Sequence, residues 1–191
     1  SQTEWTLDLA KRTIHAESDA LAVCVLDTGV NRTHPLLDYA LAPEDCHTYD
    51  QSWGTYDHNG HGTEMAGLVL YGDLLPHLTG TGKVTLTHCL ESVKILPPTG
   101  KNDPGLYAAI TAEAVSRPEV QAPERQRIFS MAITEKADGG SSGRGQPTSW
   151  STAVDAIVAG RSFDPSDKGL KYLDNQKGAF PRLFLVSAGN V

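Results

Sequence analysis

The chain has 191 residues, of which 39% are hydrophobic and 20% charged, and its formal net charge is -7. A chain of this length can bury one sizeable core, so we expect a single domain over residues 1–191. The mixed charges and moderate hydrophobicity argue against disorder and against a membrane span. Because the net charge is negative and no basic patch occurs, we expect no nucleic-acid partner.

The cysteines bear on the cellular compartment. Cys24, Cys46 and Cys89 have neither the even number of a disulfide framework nor the spacing of a zinc site. Residues 1–11 contain no apolar stretch of signal-peptide length. These features favour a reducing, cytoplasmic location, and secretion stays open as the alternative.

The first predicted elements are a strand and a helix. Residues 20–26 form a short apolar run rich in β-branched residues, which is typical of a buried parallel strand. Residues 62–71 are mostly small or apolar, with Met65, Leu68 and Val69 at helical spacing. This pattern predicts a buried helix.

The rest of the chain continues the alternation of strands and helices. Strands are predicted at 83–88, 92–96, 127–133 and 183–186, and helices at 104–118 and 149–159, the latter with Ser149 as a cap. A loop rich in Gly and Ser spans 138–147, and a polar surface insertion runs from 161 to 182. Alternation without a repeat predicts an α/β fold with a doubly wound, mostly parallel sheet and helices on both faces.

Two residues at predicted element ends are candidates for chemistry. Asp27 directly follows the first apolar strand, where turn amides would fix its carboxylate beside an imidazole, although Asp-Thr-Gly is also an ordinary turn sequence. His61 lies between two glycines at the start of the predicted helix. Histidine exchanges protons near neutral pH when a carboxylate fixes its tautomer, so the two residues together suggest acid–base chemistry.

At these residues the chain resembles a known family. Val25-Leu-Asp27-Thr-Gly-Val30, followed by His34-Pro-Leu36, resembles the aspartate motif of the subtilisin-like serine proteases (subtilases, peptidase family S8). His61-Gly-Thr63 with Ala66-Gly67 resembles their histidine motif, and both occur in the family's order. The resemblance implies that Asp27 orients His61, which acts as general base and then general acid.

Two further segments extend the resemblance. Ser187-Ala-Gly-Asn190 is similar to the family's oxyanion-hole motif, which implies that Asn190 donates its side-chain amide to the oxyanion. Val93-Lys-Ile-Leu96 resembles the strand that lines the substrate cleft, so Leu96 is expected to contact substrate. The implied partner is a polypeptide. No calcium loop of the kind common in secreted members occurs, so we expect no metal and no cofactor.

A third segment carries a weaker similarity. Ser130-Met131-Ala132 resembles the strand that pairs with extended peptides, although Ala132 and Thr134 stand where the family usually has serine and glycine. Pairing through backbone groups would survive these changes, because it relies on main-chain hydrogen bonds. Glu64, which stands where the family commonly has histidine, is expected to tune the site.

The family's nucleophilic serine follows the asparagine motif, within a Gly-Thr-Ser sequence that opens a buried helix. We expect it beyond residue 191, so that the domain is incomplete at its C-terminus, the segment alone is inactive, and its partner is the rest of its own domain. Two earlier serines fit less well. Ser141 has loop on both sides rather than a strand and a helix. Ser149 ends Pro147-Thr-Ser149, in which proline replaces the expected glycine, and it precedes the asparagine motif and has a structural role as a helix cap.

Two other functions remain as alternatives. A pseudoprotease would keep the cleft and bind peptides without cleaving them. A metal-dependent hydrolase would use His58, His61 and Glu64, which lie at three-residue intervals and would share one helix face. Gly60 and Gly62 oppose a helix at that point, which disfavours the metal site.

Overall fold

The computed structural model describes residues 1–133, 147–161, 163–164, 171–172 and 180–187. Thr134, Ser141 and Asn190 therefore lie outside the described residues.

A parallel sheet forms the centre of the described part. The strands in chain order are β1 (Thr13–Ile14), β2 (Ala22–Asp27), β3 (Cys46–Thr48), β4 (Val84–Thr85), β5 (Cys89–Lys94), β6 (Arg127–Met131), β7 (Phe163–Asp164), β8 (Lys171–Tyr172) and β9 (Leu183–Val186). Five of them form one sheet in the order β3-β5-β2-β6-β9, in which every neighbouring pair is parallel. Separately, β1 pairs with β4 in parallel, and β7 pairs with β8 antiparallel.

The helices cover both faces of this sheet. They are α1 (Gln2–Arg12), α2 (His61–Tyr71), α3 (Leu74–Thr79), α4 (Tyr107–Gln121) and α5 (Ser149–Val158). One core joins Val25 and Leu90 of the sheet to α1 and α2, and a second core joins Leu26, Val93 and Phe129 to α4 and α5. The predicted doubly wound α/β fold is confirmed. All six residues of β2 are buried, as expected for a parallel strand covered on both faces.

The end of α4 differs from the prediction. We expected a stop near Pro118, which is wrong, because α4 continues to Gln121 with Pro118 buried inside it. Nη2 of Arg127 donates to the carbonyl oxygens of Pro118 and Ala122 at 2.9 and 3.0 Å. The Pro118 carbonyl also accepts from the backbone N–H of Ala122 at 2.9 Å, so the guanidinium adds a second donor there, and its charge complements the helix dipole.

The packing face of α2 and the N-cap of α5 also differ from the prediction. On α2 the buried positions are Gly62, Ala66 and Leu70, whereas Leu68 is 54% exposed. The two small residues let the helix lie close to the sheet, which turns the larger Leu68 outward. On α5 the N-cap is Thr148 rather than Ser149, because the Thr148 side chain accepts from the backbone N–H of Ser151 at 3.1 Å.

The last strand forms an edge of the sheet. β9 pairs only with β6 in the described sheet, and its Leu183, Leu185 and Val186 are 57%, 57% and 50% exposed. An apolar edge strand with one free side can pair with further chain. Within the part of the chain that the structure describes, no helix is long and apolar enough to cross a bilayer.

Candidate active site

Asp27 is the last residue of β2, at the carboxyl end of the central strand. Its side chain is 1% exposed, and its Oδ1 accepts a hydrogen bond from the backbone N–H of Thr28 at 2.8 Å. The carboxyl ends of parallel strands are where open α/β sheets place their sites. The carboxylate is thus held in place by its own turn, and its remaining lone pairs are available to a neighbour.

That neighbour is His61, the first residue of α2. Its Nδ1 lies 2.9 Å from both Oδ1 and Oδ2 of Asp27, while the His61 side chain is 43% exposed. A carboxylate only accepts, so Nδ1 carries the proton and donates to it. The structure therefore brings these two predicted residues together, with the carboxylate buried and the imidazole reaching solvent.

Asp57 organises the turn that precedes His61. Its Oδ1 accepts from the backbone N–H groups of Asn59 and Gly60 at 3.0 and 2.8 Å, and its Oδ2 accepts from the backbone N–H and Oγ1 of Thr63 at 2.8 and 2.6 Å. Burial acts to raise the pKa of Asp57, but these hydrogen bonds outweigh it, and the pKa lies below its ordinary value. This carboxylate fixes the backbone on both sides of His61.

Thr28 links the two halves of the site. Its Oγ1 donates to Oδ1 of Asp57 at 2.9 Å and accepts from the backbone N–H of Gly62 at 2.9 Å. Thr28 follows Asp27, and Gly62 follows His61. One hydroxyl thus ties the end of β2 to the start of α2, which fixes the distance between Asp27 and His61.

A lysine is buried behind the site. Lys94 ends β5 and is the register partner of Asp27, and it is only 1% exposed. Its Nζ donates to the carbonyl oxygens of Trp53 and Tyr56 at 3.3 and 2.7 Å and contacts Nδ1 of His58 at 2.9 Å. Burial lowers the pKa of Lys94, against the opposing charge of Asp57. Its ammonium group thus binds residues 53–58, the segment that leads into the Asp57 turn.

A cavity of about 580 Å³ adjoins the site, and the expected substrate-binding Leu96 lines it. His58, Tyr107 and Trp150 also lie on its wall, and Trp150 Nε1 donates to Oγ1 of Thr111 at 2.9 Å. Lys101 is the only ionisable residue besides His58 and Tyr107 among its described lining residues. The wall is therefore mainly apolar and aromatic, as in pockets that take side chains of a ligand.

The other expected substrate-binding residues lie in β6 or directly after it. Ser130 and Met131 are buried, and both pair with β9. Ala132 is half-buried and follows the last residue of the strand. None of the three lines the cavity, and their binding of peptide stays a prediction.

Among the described residues, the remaining candidates make no hydrogen bond to Asp27 or His61. Asn190 lies outside the described residues, and Ser149 is exposed at the start of α5. No serine hydroxyl of the described residues hydrogen-bonds to His61. His58 contacts Lys94 and His61 contacts Asp27, and among the described side chains no group of three or more His, Cys, Asp or Glu residues is arranged to hold a metal ion.

Three residues that build the site, Thr28, Asp57 and Lys94, were not predicted from the sequence. For Asp57 a signal was present, because an aspartate followed by Asn-Gly favours a turn whose amides bond back to the carboxylate. Lys94 was treated only as part of a cleft strand. Lysine side chains are almost never fully buried in proteins, so nothing in the sequence indicated that the side chain of Lys94 would lie inside the fold.

A protein family matches most of this chain. No curated protein sequence matches the chain significantly. The Subtilase family (Peptidase S8) matches residues 18–191, which include both Asp27 and His61. The match covers most of the chain, and the chain therefore belongs to the subtilase family.

Proposed function

We propose that this chain supplies the acid–base pair of a serine endopeptidase. The observation that carries the proposal is the contact between Nδ1 of His61 and the buried Asp27 carboxylate at 2.9 Å. Membership of a peptidase family and a half-exposed imidazole fixed by a carboxylate are both consistent with acyl transfer to water.

In the proposed reaction His61 would transfer one proton, first from the serine hydroxyl to its own ring and then to the leaving amine. With Nδ1 protonated and bonded to Asp27, Nε2 of His61 carries the lone pair and takes the proton of a serine hydroxyl as that oxygen attacks the peptide carbonyl. Asp27 stabilises the resulting imidazolium without taking the proton. His61 then returns the proton to the leaving amine. Asn190 is proposed to donate its side-chain amide to the oxyanion.

The substrate would be an extended polypeptide. We propose that Leu96 contacts it, that one of its side chains enters the cavity beside Trp150, and that its backbone pairs with residues 130–132. Ala132 follows the end of β6, so its backbone is the best placed of the three to accept a further strand.

The nucleophile is proposed to be a serine outside residues 1–191. Ser149 supports this only indirectly, since it is exposed at the start of α5 and makes no hydrogen bond to His61. The second candidate function is peptide binding without cleavage. Its supporting observation is that no described serine hydroxyl bonds to His61.

A serine-directed fluorophosphonate probe on the full-length gene product separates the two functions. Endopeptidase activity predicts covalent labelling of one serine. The His61→Ala variant should lose most of this labelling, because removing the base of such a triad costs about 10⁶-fold in kcat. His77→Ala on α3, which makes no hydrogen bond to Asp27 or His61, is the matched control. A folded gene product without a labelled serine would favour binding alone.

A further inference from the structure

Lys94 is a costly residue at its position. Taking an ammonium group out of water carries a penalty of several kcal/mol, and an apolar side chain of similar length would avoid it. Within the described residues Nζ contacts no carboxylate, because its three partners are two carbonyl oxygens and an imidazole nitrogen. These three acceptors match the three protons of the ammonium group. The ammonium group of Lys94 therefore binds three defined acceptors rather than a countercharge.

All three acceptors belong to one segment, residues 53–58. This segment leads into the Asp57 turn, whose hydrogen bonds run on to Thr63 and so enclose His61. The backbone of Lys94 is meanwhile paired in register with Asp27. One side chain thus ties the loop that carries the imidazole to the strand end beside the carboxylate.

The contact between Lys94 and His58 depends on whether the imidazole of His58 is protonated. Lysine can only donate, so Nδ1 of His58 accepts, and the ring is neutral with its proton on Nε2. A second proton would place an N–H group against the ammonium at the same 2.9 Å. The other ionisable groups around this contact are Asp57 in the turn, and Lys101 and Tyr107 on the same cavity wall.

We propose that Lys94 is a positioning residue for the Asp27–His61 pair, that it acts through residues 53–58, and that protonation of His58 removes one of its three contacts. The inference rests on the proposed function, because the position of His61 matters for activity only if His61 transfers a proton.

The test is NMR of the intact protein labelled with nitrogen-15 at histidine. We expect His58 as a neutral ring protonated on Nε2, and a strongly deshielded Nδ1 proton on His61. In Lys94→Met, His58 should no longer prefer the tautomer protonated on Nε2. The Nδ1 proton of His61 should exchange with solvent about tenfold faster or more, because the loop opens more often. Lys101→Met, the same substitution on the same cavity wall, should change neither signal.

A second variant covers the case in which Lys94→Met does not fold. His58→Leu removes one acceptor at an exposed residue, and should accelerate the same exchange to a smaller extent. Acidification should accelerate it in the wild type more than in His58→Leu, because only the wild type can lose this contact by protonation. A proton on Nδ1 of His58, or unchanged exchange in a folded variant, overturns the proposal. Neither NMR signal requires substrate. If the gene product does not cleave peptides, the proposed function is wrong, but the two NMR measurements still test the position of Lys94, His58 and His61.

Discussion

A β-carbon on Gly62 would lie 2.1 Å from the carbonyl oxygen of Gly29. Gly62 follows His61 at the start of α2, and Gly29 belongs to the turn that follows Asp27. The same β-carbon would also lie 3.2 Å from Cβ of Asp27. The close approach of α2 to the end of β2, which brings imidazole and carboxylate together, therefore depends on the absence of a side chain here.

The first prediction concerns this contact. Gly62→Ala should destabilise the protein by about 1–3 kcal/mol, because the backbone must shift to relieve the overlap. Gly67→Ala, on the same helix, meets nothing within 4 Å, and it should stabilise by up to about 1 kcal/mol through helix propensity. Denaturant unfolding of both variants measures the difference. Equal stabilities would show that α2 does not pack as described.

The second prediction concerns Asp27. Asp27→Asn keeps the size of the side chain but offers His61 an amide, which allows the wrong tautomer, so kcat for peptide hydrolysis by the full-length gene product should fall about 10⁴-fold. Asp73→Asn replaces another aspartate by its amide at the N-cap of α3, where asparagine caps equally well, and should leave kcat unchanged. Similar losses in both variants would contradict the role proposed for Asp27.

The third prediction concerns pH. The pKa of Asp57 is lower in the folded protein than its ordinary value of about 3.9, so its ionised form favours the folded state. This contribution is fully present above the ordinary pKa and is lost as the pH falls through the folded pKa. The free energy of unfolding should therefore decline in acid, and Asp57→Asn should flatten that decline. Parallel profiles for variant and wild type would refute the assignment.

The fourth prediction concerns a buried ion cluster far from the cavity wall. Glu91 on β5 is fully buried and accepts from Arg125 at 2.9 Å and from Nε and Nη2 of Arg127 at 2.9 Å each. Glu91→Gln should cost about 3–5 kcal/mol, because it leaves the buried Arg127 guanidinium without its carboxylate partner, whereas Arg125 keeps Asp45. Glu113→Gln breaks a more exposed pair with Arg117 on α4 and should cost less than about 1 kcal/mol. Thermal unfolding compares the two.

The sequence predicted those parts of the fold whose pattern depends on local burial. β2 is a continuous apolar run, and the glycines around His61 mark the start of α2, so both elements and the Asp27–His61 pair could be anticipated. The α4 end could not, because Pro118 normally disfavours a helix interior. The helix nevertheless runs on to Gln121, and Arg127 of the next strand donates to the carbonyl oxygens at its end.

The contacts that hold Asp27 and His61 in place were harder to predict, since they join segments that are distant in sequence. Thr28 joins Asp57 and Gly62, and Lys94 reaches Trp53 and His58. Neither residue type signals such a role by itself. The N-terminal helix α1 was not predicted, although Ser1 and Glu4 have the spacing of the capping box that begins it.

The position of β2 in the sheet has a consequence for folding. β2 is early in the chain, yet its two neighbours, β5 and β6, are made much later, and such non-local parallel pairing is slow to form. A nascent chain emerging from the ribosome therefore holds Asp27 and His61 long before it can hold the strands that flank them. We therefore expect the contact between Asp27 and His61 to become fixed only late in folding, after β5 and β6 have paired with β2.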